Sequence, residues 1–112
     1  MRSVQITLMS TGAKSGEPRR TTLYAWEDGD RLVLVGSRGG SKRNPAWVHN
    51  LREHPEVRVA RGKTERAYRA TEVSGARRAR LWRLAADRFP MYDRYAERTD
   101  RQIPVFLLEP ID

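Results

Sequence analysis

The chain has 112 residues, 38% of them hydrophobic, and carries a formal net charge of +8. This length predicts one domain with a single modest core. The absence of cysteine excludes disulfides, thiolate metal sites and cysteine nucleophiles, and it is typical of a reducing cytoplasm. No apolar stretch approaches the ~20 residues of a transmembrane helix, and the first residues lack the apolar run of a signal peptide. These features predict a soluble cytoplasmic domain.

The positive charge predicts an anionic partner. A pI near 10.8 is typical of proteins that bind a phosphorylated cofactor, nucleic acid or an acidic membrane surface. Most of the 22 basic residues are arginine, which a GC-rich genome also favours. The charge alone therefore does not choose among these partners.

Strand patterns dominate residues 1–73. Residues 4–9 alternate between apolar and polar, residues 19–26 read as the returning strand, and Asp28-Gly29-Asp30 predicts a hairpin turn before a buried strand over residues 31–36. The later segments are predicted as a helix at 45–52, strands at 57–60 and 64–73, helices at 75–89 and 91–97, and a last strand at 103–109. The resulting order, βββαββαβ, contains hairpins and no βαβ alternation.

This order of elements predicts a mainly β fold of the α+β class. It favours a single small antiparallel β-barrel with two to three helices, formed by residues 1–112, over a Rossmann-type sheet. A closed barrel also removes the exposed edges that so many short strands would otherwise leave.

A cationic loop between the third strand and the first helix is the most informative segment. Its glycines let the backbone turn and approach a ligand closely, and its basic side chains supply positive charge. Asn44 is predicted to cap the helix that Pro45 opens, where the helix N-terminus also favours anions. The loop therefore indicates an anion site, formed by Gly36, Arg38, Gly39, Gly40, Lys42 and Arg43.

A second loop, residues 10–16, resembles a phosphate-binding P-loop only superficially. The glycine that the P-loop pattern requires is replaced by Leu8, and no helix follows Lys14 and Ser15. An ordinary hairpin loop is the simpler interpretation. Beside Arg19 and Arg20, however, Lys14 and Ser15 become a second candidate half of an anion site.

One face of the first helix carries both apolar and polar residues. Trp47, Asn50 and Leu51 are three and four positions apart and therefore share one side of the helix. The spacing predicts that Trp47 and Leu51 belong to the core. Asn50 needs a hydrogen-bond partner if it is buried there, either the backbone or a heterocyclic ligand.

Aromatic residues cluster near Pro90. Phe89, Tyr92 and Tyr95 could close one end of the barrel, or could form a stacking wall whose phenol groups donate hydrogen bonds or protons. The two histidines, His49 and His54, have no partners at metal-ligand spacing, so no metal site is predicted.

Together these motifs resemble the deazaflavin-dependent nitroreductases of actinobacteria, which belong to the split β-barrel superfamily of flavin reductases and pyridoxamine-phosphate oxidases. The resemblance covers nearly the whole chain in order, through residues 11–19, 28–30, 36–40, 44–51, 54–57, 89–95, 99–101 and 103–105. It implies a split barrel that binds coenzyme F-420, an 8-hydroxy-5-deazaflavin with a phosphodiester and an oligoglutamate tail.

The resemblance also implies site residues. The basic residues of the two loops would hold the phosphate and the tail, residues 35–38 and 46–50 would line the deazaflavin ring, and Tyr92, Tyr95 and Ser37 would be catalytic, as donors of a proton on the substrate side. The implied cofactor-binding set is Ala13, Lys14, Ser15, Arg19, Arg20, Thr21, Tyr24, Val35, Gly36, Ser37, Arg38, Ala46, Trp47, Val48, His49, Asn50 and Tyr92.

The implied reaction is hydride transfer from reduced F-420 to an electrophilic small molecule such as a quinone, a nitro compound or an activated alkene. Three other hypotheses stay open at this point. The barrel could bind flavin mononucleotide (FMN) instead, it could carry F-420 without turnover, or it could bind nucleic acid through its arginine-rich helix. Nucleic acid is not expected under the leading hypothesis, peripheral membrane contact is not excluded, and the sequence does not predict an oligomeric state.

Overall fold

The computed structural model describes residues 1–111. Six strands, three α-helices and one short 3₁₀ turn follow each other along the chain. The strands are β1 (Arg2–Thr11), β2 (Pro18–Asp28), β3 (Arg31–Val35), β4 (Glu56–Arg61), β5 (Thr64–Glu72) and β6 (Val105–Pro110). The helices are α1 (Ala46–Glu53), α2 (Gly75–Arg88) and α3 (Met91–Glu97), and the 3₁₀ turn is Arg38–Gly40.

The strands form a closed antiparallel barrel in the order β1-β2-β3-β6-β5-β4. This arrangement confirms the predicted fold class. The barrel is closed unevenly, because β2 pairs with β3 only where Trp26 to Asp28 meet Arg31 to Val33. Among the described residues, the first part of β2, residues 18–25, pairs with β1 alone. That part of β2 therefore leaves its other edge available to whatever lies beside it.

The barrel interior is filled by alternating apolar residues, and α1 covers one end of it. Ile6, Leu34 and Phe106 are among the fully buried strand residues, and Trp47 and Val48 of α1 belong to the same cluster. The Trp47 and Phe106 rings meet edge to face, with centroids 5.7 Å apart. Packing of α1 onto the interior fixes the orientation of the remaining faces of that helix.

A second apolar cluster lies outside the barrel, where α2 and α3 pack. It joins Leu81 and Trp82 of α2 and Tyr92 of α3 to Trp26 and Val33 of the sheet. The Trp26 indole Nε1–H donates a hydrogen bond to the Tyr92 phenol oxygen at 2.9 Å. The aromatic residues near Pro90 thus cover the outer surface of the sheet, and the prediction that they close an end of the barrel is wrong.

Several boundaries differ by one or two residues from the prediction, and one feature differs in kind. The sequence predicts Asn44 as the cap of α1, but the N-cap is Pro45, and no side chain caps this helix. The Asn44 amide oxygen instead accepts a hydrogen bond from Arg101. Of the helices within residues 1–111, none has the length and apolar character needed to cross a membrane.

Candidate functional site

A surface cleft of about 350 Å³ lies between β2, the loop before it and α1. We call it the β2–α1 cleft. The strand contributes residues from the part of β2 that pairs only with β1. The lining residues are Gly12, Ala13, Lys14, Ser15, Arg19, Arg20, Thr21, Ala46, Trp47, His49 and Asn50.

The loop between β1 and β2 is fixed by its own backbone. The Gly12 N–H donates to the Glu17 carbonyl at 2.8 Å, and the Gly16 N–H donates to the Gly12 carbonyl at 3.0 Å. The Ser15 hydroxyl oxygen accepts hydrogen bonds from the Glu17 N–H and from the Arg19 guanidinium, both at 3.1 Å. These bonds hold the loop in one shape and leave the Lys14 side chain exposed.

Asn50 connects this loop to α1. Its side chain is 9% exposed, and its Oδ1 accepts a hydrogen bond from the Ala13 N–H at 2.8 Å. The buried amide therefore has a backbone partner, which was one of the two partners that the sequence allowed. Because Asn50 also lines the cleft, it couples the position of the loop to the position of the cleft floor.

The cationic loop before α1 is organised by Arg101, which follows α3. The Arg101 guanidinium donates to the carbonyl oxygens of Ser41 and Ser37, both at 2.8 Å, and to that of Gly36 at 3.2 Å. It also donates to the Asn44 Oδ1 at 2.6 Å. One side chain thus fixes residues 36–44.

The backbone of this loop enters a region that L-residues rarely adopt. Arg38 has φ 45° and is the single non-glycine residue with positive φ within residues 1–111, while Ser37 before it is in the right-handed helical region. A Cβ on Gly40 would lie 2.8 Å from the Tyr95 carbonyl oxygen, so glycine is required where the loop meets α3.

Among the described residues, several basic side chains around the candidate site have no ion-pair partner, whereas others in the molecule do. Away from it, Arg52, Arg58 and Arg61 pair with carboxylates at distances of 2.9 Å or less. Among the described residues, no carboxylate lies within ion-pairing distance of the basic side chains Lys14, Arg20, Arg38, Lys42 and Arg43. Burial and the nearby Arg38 charge lower the pKa of Arg101 from its ordinary value. Uncompensated positive charge favours an anionic ligand here.

A second cleft, of about 370 Å³, lies at the ends of β1 and β4. Its only basic lining side chain is Arg58, which already pairs with Glu65. The charge pattern therefore selects the β2–α1 cleft as the better candidate for an anion. Within residues 1–111 no group of three or more His, Cys, Asp or Glu side chains could hold a metal ion.

The structure brings most of the predicted cofactor-binding residues to the β2–α1 cleft, and the others lie outside its lining. Gly36, Ser37 and Arg38 belong to the loop that Arg101 fixes. Tyr24 lies further along β2 and is 65% exposed. These assignments to a cofactor remain predictions.

Three of the predicted cofactor-binding side chains outside the cleft lining pack in the two apolar clusters. Val48 has no exposed surface and packs inside the barrel, because it lies on the face of α1 that closes the interior. Val35 packs against the outer cluster. Tyr92 is 8% exposed in that same cluster, where burial raises the pKa of its phenol and the Trp26 hydrogen bond opposes this effect.

The predicted catalytic hydroxyls therefore separate by location. Tyr95 is half-buried and packs against the outer cluster, while its backbone carbonyl lies beside Gly40 of the cationic loop, and Ser37 lies in that loop. Sequence reasoning missed Arg101 and Trp26, which position these elements. The only signal for Arg101 was its place in the motif at residues 99–101, since its partners lie about 60 positions earlier.

Comparison with known proteins finds one matching family and several similar proteins. The family described as F-420H(2)-dependent quinone reductase matches residues 1–110. An F-420H(2)-dependent quinone reductase of Mycobacterium tuberculosis is 38% identical over 106 residues, which cover 92% of this chain and 71% of that protein. A putative quinone reductase of the same description and organism is 34% identical over 97 residues, covering 87% of this chain and 82% of that protein.

Solved structures agree with this result. A structure described as an F-420-H2 dependent reductase has 36% identity and a TM-score of 0.83, with 94% of this chain and 93% of that chain covered. A heme storage protein from Vibrio cholerae, at 13% identity and a TM-score of 0.71 over 96% of this chain and 82% of that one, shows a shared fold only. The resemblance seen in the sequence is confirmed: this chain belongs to the F-420H(2)-dependent quinone reductase family.

Proposed function

We propose that this protein is an oxidoreductase that binds reduced coenzyme F-420 in the β2–α1 cleft and transfers a hydride from it to a quinone. The observation that carries the proposal is the uncompensated positive charge around a cleft in a chain of this family. A phosphodiester with an oligoglutamate tail is a polyanion, and its charges match the cationic side chains Lys14, Arg20 and Arg38.

The residues present fit the cofactor. Lys14, Arg19 and Arg20 would hold the phosphate and tail at the open end of the cleft, where Arg19 is already oriented by Ser15. Ala46 and Trp47 provide an apolar wall for a planar ring, and the Ala13–Asn50 hydrogen bond keeps the floor rigid. Rigid polar groups around an apolar surface are typical of cofactor sites.

The bound cofactor would supply a hydride from a ring carbon, and the protein would supply binding and orientation. The quinone gains that hydride together with one proton and leaves as a quinol. Ser37 and Tyr95, at the cationic loop, are the proposed sources of the proton, with water as the alternative. Tyr92 is a poorer candidate than its sequence position indicated, because it is buried against Trp26.

The proposal also covers the electron acceptor, the cellular location and contact with a membrane surface. The acceptor would be a small molecule that enters an open cleft. The cysteine-free composition supports a cytoplasmic location. The exposed arginines of α2, among them Arg77 and Arg80, would favour contact with an acidic membrane surface.

The test is anaerobic turnover. Purified protein is mixed with reduced F-420 and a soluble naphthoquinone, and reoxidation of the deazaflavin is followed by its absorbance, with reduced FMN as the parallel donor. We expect oxidation that is proportional to enzyme and requires the quinone. Tight binding of F-420 without oxidation by any quinone would indicate a carrier, and turnover with FMN alone would indicate a flavin enzyme.

A further inference from the structure

We propose that Arg101 is a positioning residue for the cofactor: by binding the carbonyls of residues 36 and 37, it turns the N–H groups of Ser37 and Arg38 outward as a pair of anion-binding donors. The inference deepens the proposed function and rests on it. Arg101 itself is not proposed to touch the ligand.

The geometry follows from planar peptide bonds. In a trans peptide unit the C=O and the N–H point in opposite directions. The carbonyls of Gly36 and Ser37 both accept hydrogen bonds from Arg101, at 3.2 and 2.8 Å. The N–H groups that share those two peptide units, of Ser37 and Arg38, therefore both point away from Arg101.

These two donors are free. Within residues 1–111 the structure shows no hydrogen-bond partner for the N–H of Ser37 or of Arg38. A right-handed residue followed by a left-handed one, as in Ser37 and Arg38, makes the concave backbone arrangement known as an anion-binding nest. The unusual φ of Arg38 thus has a use, because it aligns successive N–H groups.

Arg101 is suited to this task by its own chemistry. A guanidinium has five N–H donors in a planar fork, and four hydrogen bonds from Arg101 reach oxygens of the 36–44 segment. A lysine has the same charge but cannot span these acceptors together. Arg101 also places a positive charge behind the loop, next to Arg38, with no carboxylate among the described residues within ion-pairing distance of either.

The experiment compares the wild type with Arg101→Lys, and uses Arg31→Lys as the control. Arg31 pairs with Asp28 at the β2–β3 turn, away from both loops. Each protein is titrated with oxidised F-420 and, separately, with inorganic phosphate. Binding is read from tryptophan fluorescence and from the backbone ¹H–¹⁵N signals of Ser37 and Arg38.

We expect F-420 to shift both amide signals in the wild type and in Arg31→Lys. Arg101→Lys should bind F-420 at least ~10-fold more weakly, because charge without the fork does not hold the peptide units. Wild-type affinity in a folded Arg101→Lys, or F-420 binding that leaves both amide signals unmoved, would overturn the inference and leave the proposed function intact.

Two further measurements cover the cases in which Arg101→Lys does not fold or the wild type does not bind F-420. If Arg101→Lys does not fold, Asn44→Ala replaces it, since that change removes a single Arg101 acceptor; a severalfold weaker F-420 affinity is expected, and an unchanged one contradicts the inference. If the wild type does not bind F-420, the proposed function fails. The phosphate titration then judges the donor pair alone: shifts of the Ser37 and Arg38 signals support it, and their absence refutes it.

Discussion

The indole of Trp26 on β2 donates a hydrogen bond to the phenol oxygen of Tyr92 on α3, at 2.9 Å. The two rings lie edge to face, with centroids 6.2 Å apart. This contact fastens α3 to the barrel, and α3 in turn supports the cationic loop at Gly40. Tyr92, which the family resemblance implied to be catalytic, is thus hydrogen-bonded to a structural residue, Trp26.

Removing the Tyr92 hydroxyl is expected to affect stability more than catalysis. Tyr92→Phe leaves the buried Trp26 N–H without a partner, which costs about 1–3 kcal/mol of unfolding free energy. Tyr95→Phe, whose hydroxyl has no hydrogen-bond partner among residues 1–111, should leave stability nearly unchanged. Chemical denaturation measures the unfolding free energy of each variant, and quinone turnover measures its catalysis.

If Tyr95 contributes the proton, Tyr95→Phe should reduce quinone turnover more than Tyr92→Phe does. Tyr95→Phe then lowers kcat while the affinity for F-420 is retained, and Tyr92→Phe leaves both close to the wild type. Equal turnover in wild type and Tyr95→Phe would assign the proton to Ser37 or to water.

Asn50 tests the link between the β1–β2 loop and the cleft. Asn50→Ala removes the acceptor of the Ala13 N–H and should reduce the unfolding free energy by about 1 kcal/mol. Asn50→Asp keeps an acceptor in place but adds a negative charge to the cleft lining. We therefore expect Asn50→Asp to be the more stable variant and yet to bind an anionic cofactor more weakly than the wild type does.

The loop contact with α3 can be tested at two neighbouring glycines. Gly40→Ala combines a left-handed φ of 81° with a Cβ only 2.8 Å from the Tyr95 carbonyl oxygen. Gly39→Ala has a left-handed φ of 62° but nothing within 4 Å of its Cβ. Gly39→Ala should cost about 1–2 kcal/mol of backbone strain, and Gly40→Ala clearly more. Thermal unfolding of both variants checks the order.

Glu27 makes stability depend on pH. It accepts hydrogen bonds from Arg61 and Arg2, which hold the pKa of its carboxyl below the ordinary value. A lowered folded-state pKa means that this stabilisation is present above the unfolded-state pKa of about 4.3 and is lost as pH falls through the folded value. Glu27→Gln should therefore unfold at a lower temperature than the wild type at pH 7. The two melting temperatures should converge as pH falls below the folded-state pKa of Glu27, and a constant difference would refute the assignment.

Local sequence patterns predicted the barrel well, because alternating strands, hairpin turns and a proline shortly after α1 and α2 are short-range signals. The short-range patterns also placed Trp47 and Leu51 in the core. Residues of the β2–α1 cleft could be proposed because Lys14, Arg19 and Arg20 lie close together in the chain and the family resemblance grouped them with α1.

Long-range side-chain contacts could not be predicted. Arg101 reaches Asn44, 57 positions earlier, and Trp26 reaches Tyr92, 66 positions later. No periodicity in the sequence records such pairs. The cap assigned to Asn44 was reasonable from neighbouring residues but was changed by a partner from a distant element. Tyr92, which the family resemblance implied to be catalytic, likewise has its hydrogen-bond partner on a distant element.

Under the proposed function, uncompensated charge at the β2–α1 cleft binds F-420. The most direct measurement is a fluorescence titration with F-420 of the wild type, Lys14→Ala and Lys63→Ala. Lys63 is also exposed, but it lies at the β4–β5 turn, outside the cleft lining. We expect saturable binding by the wild type and Lys63→Ala, and a dissociation constant about tenfold higher for Lys14→Ala, equivalent to ~1.4 kcal/mol. Equal weakening by both lysine substitutions, or no binding by the wild type, would contradict this expectation.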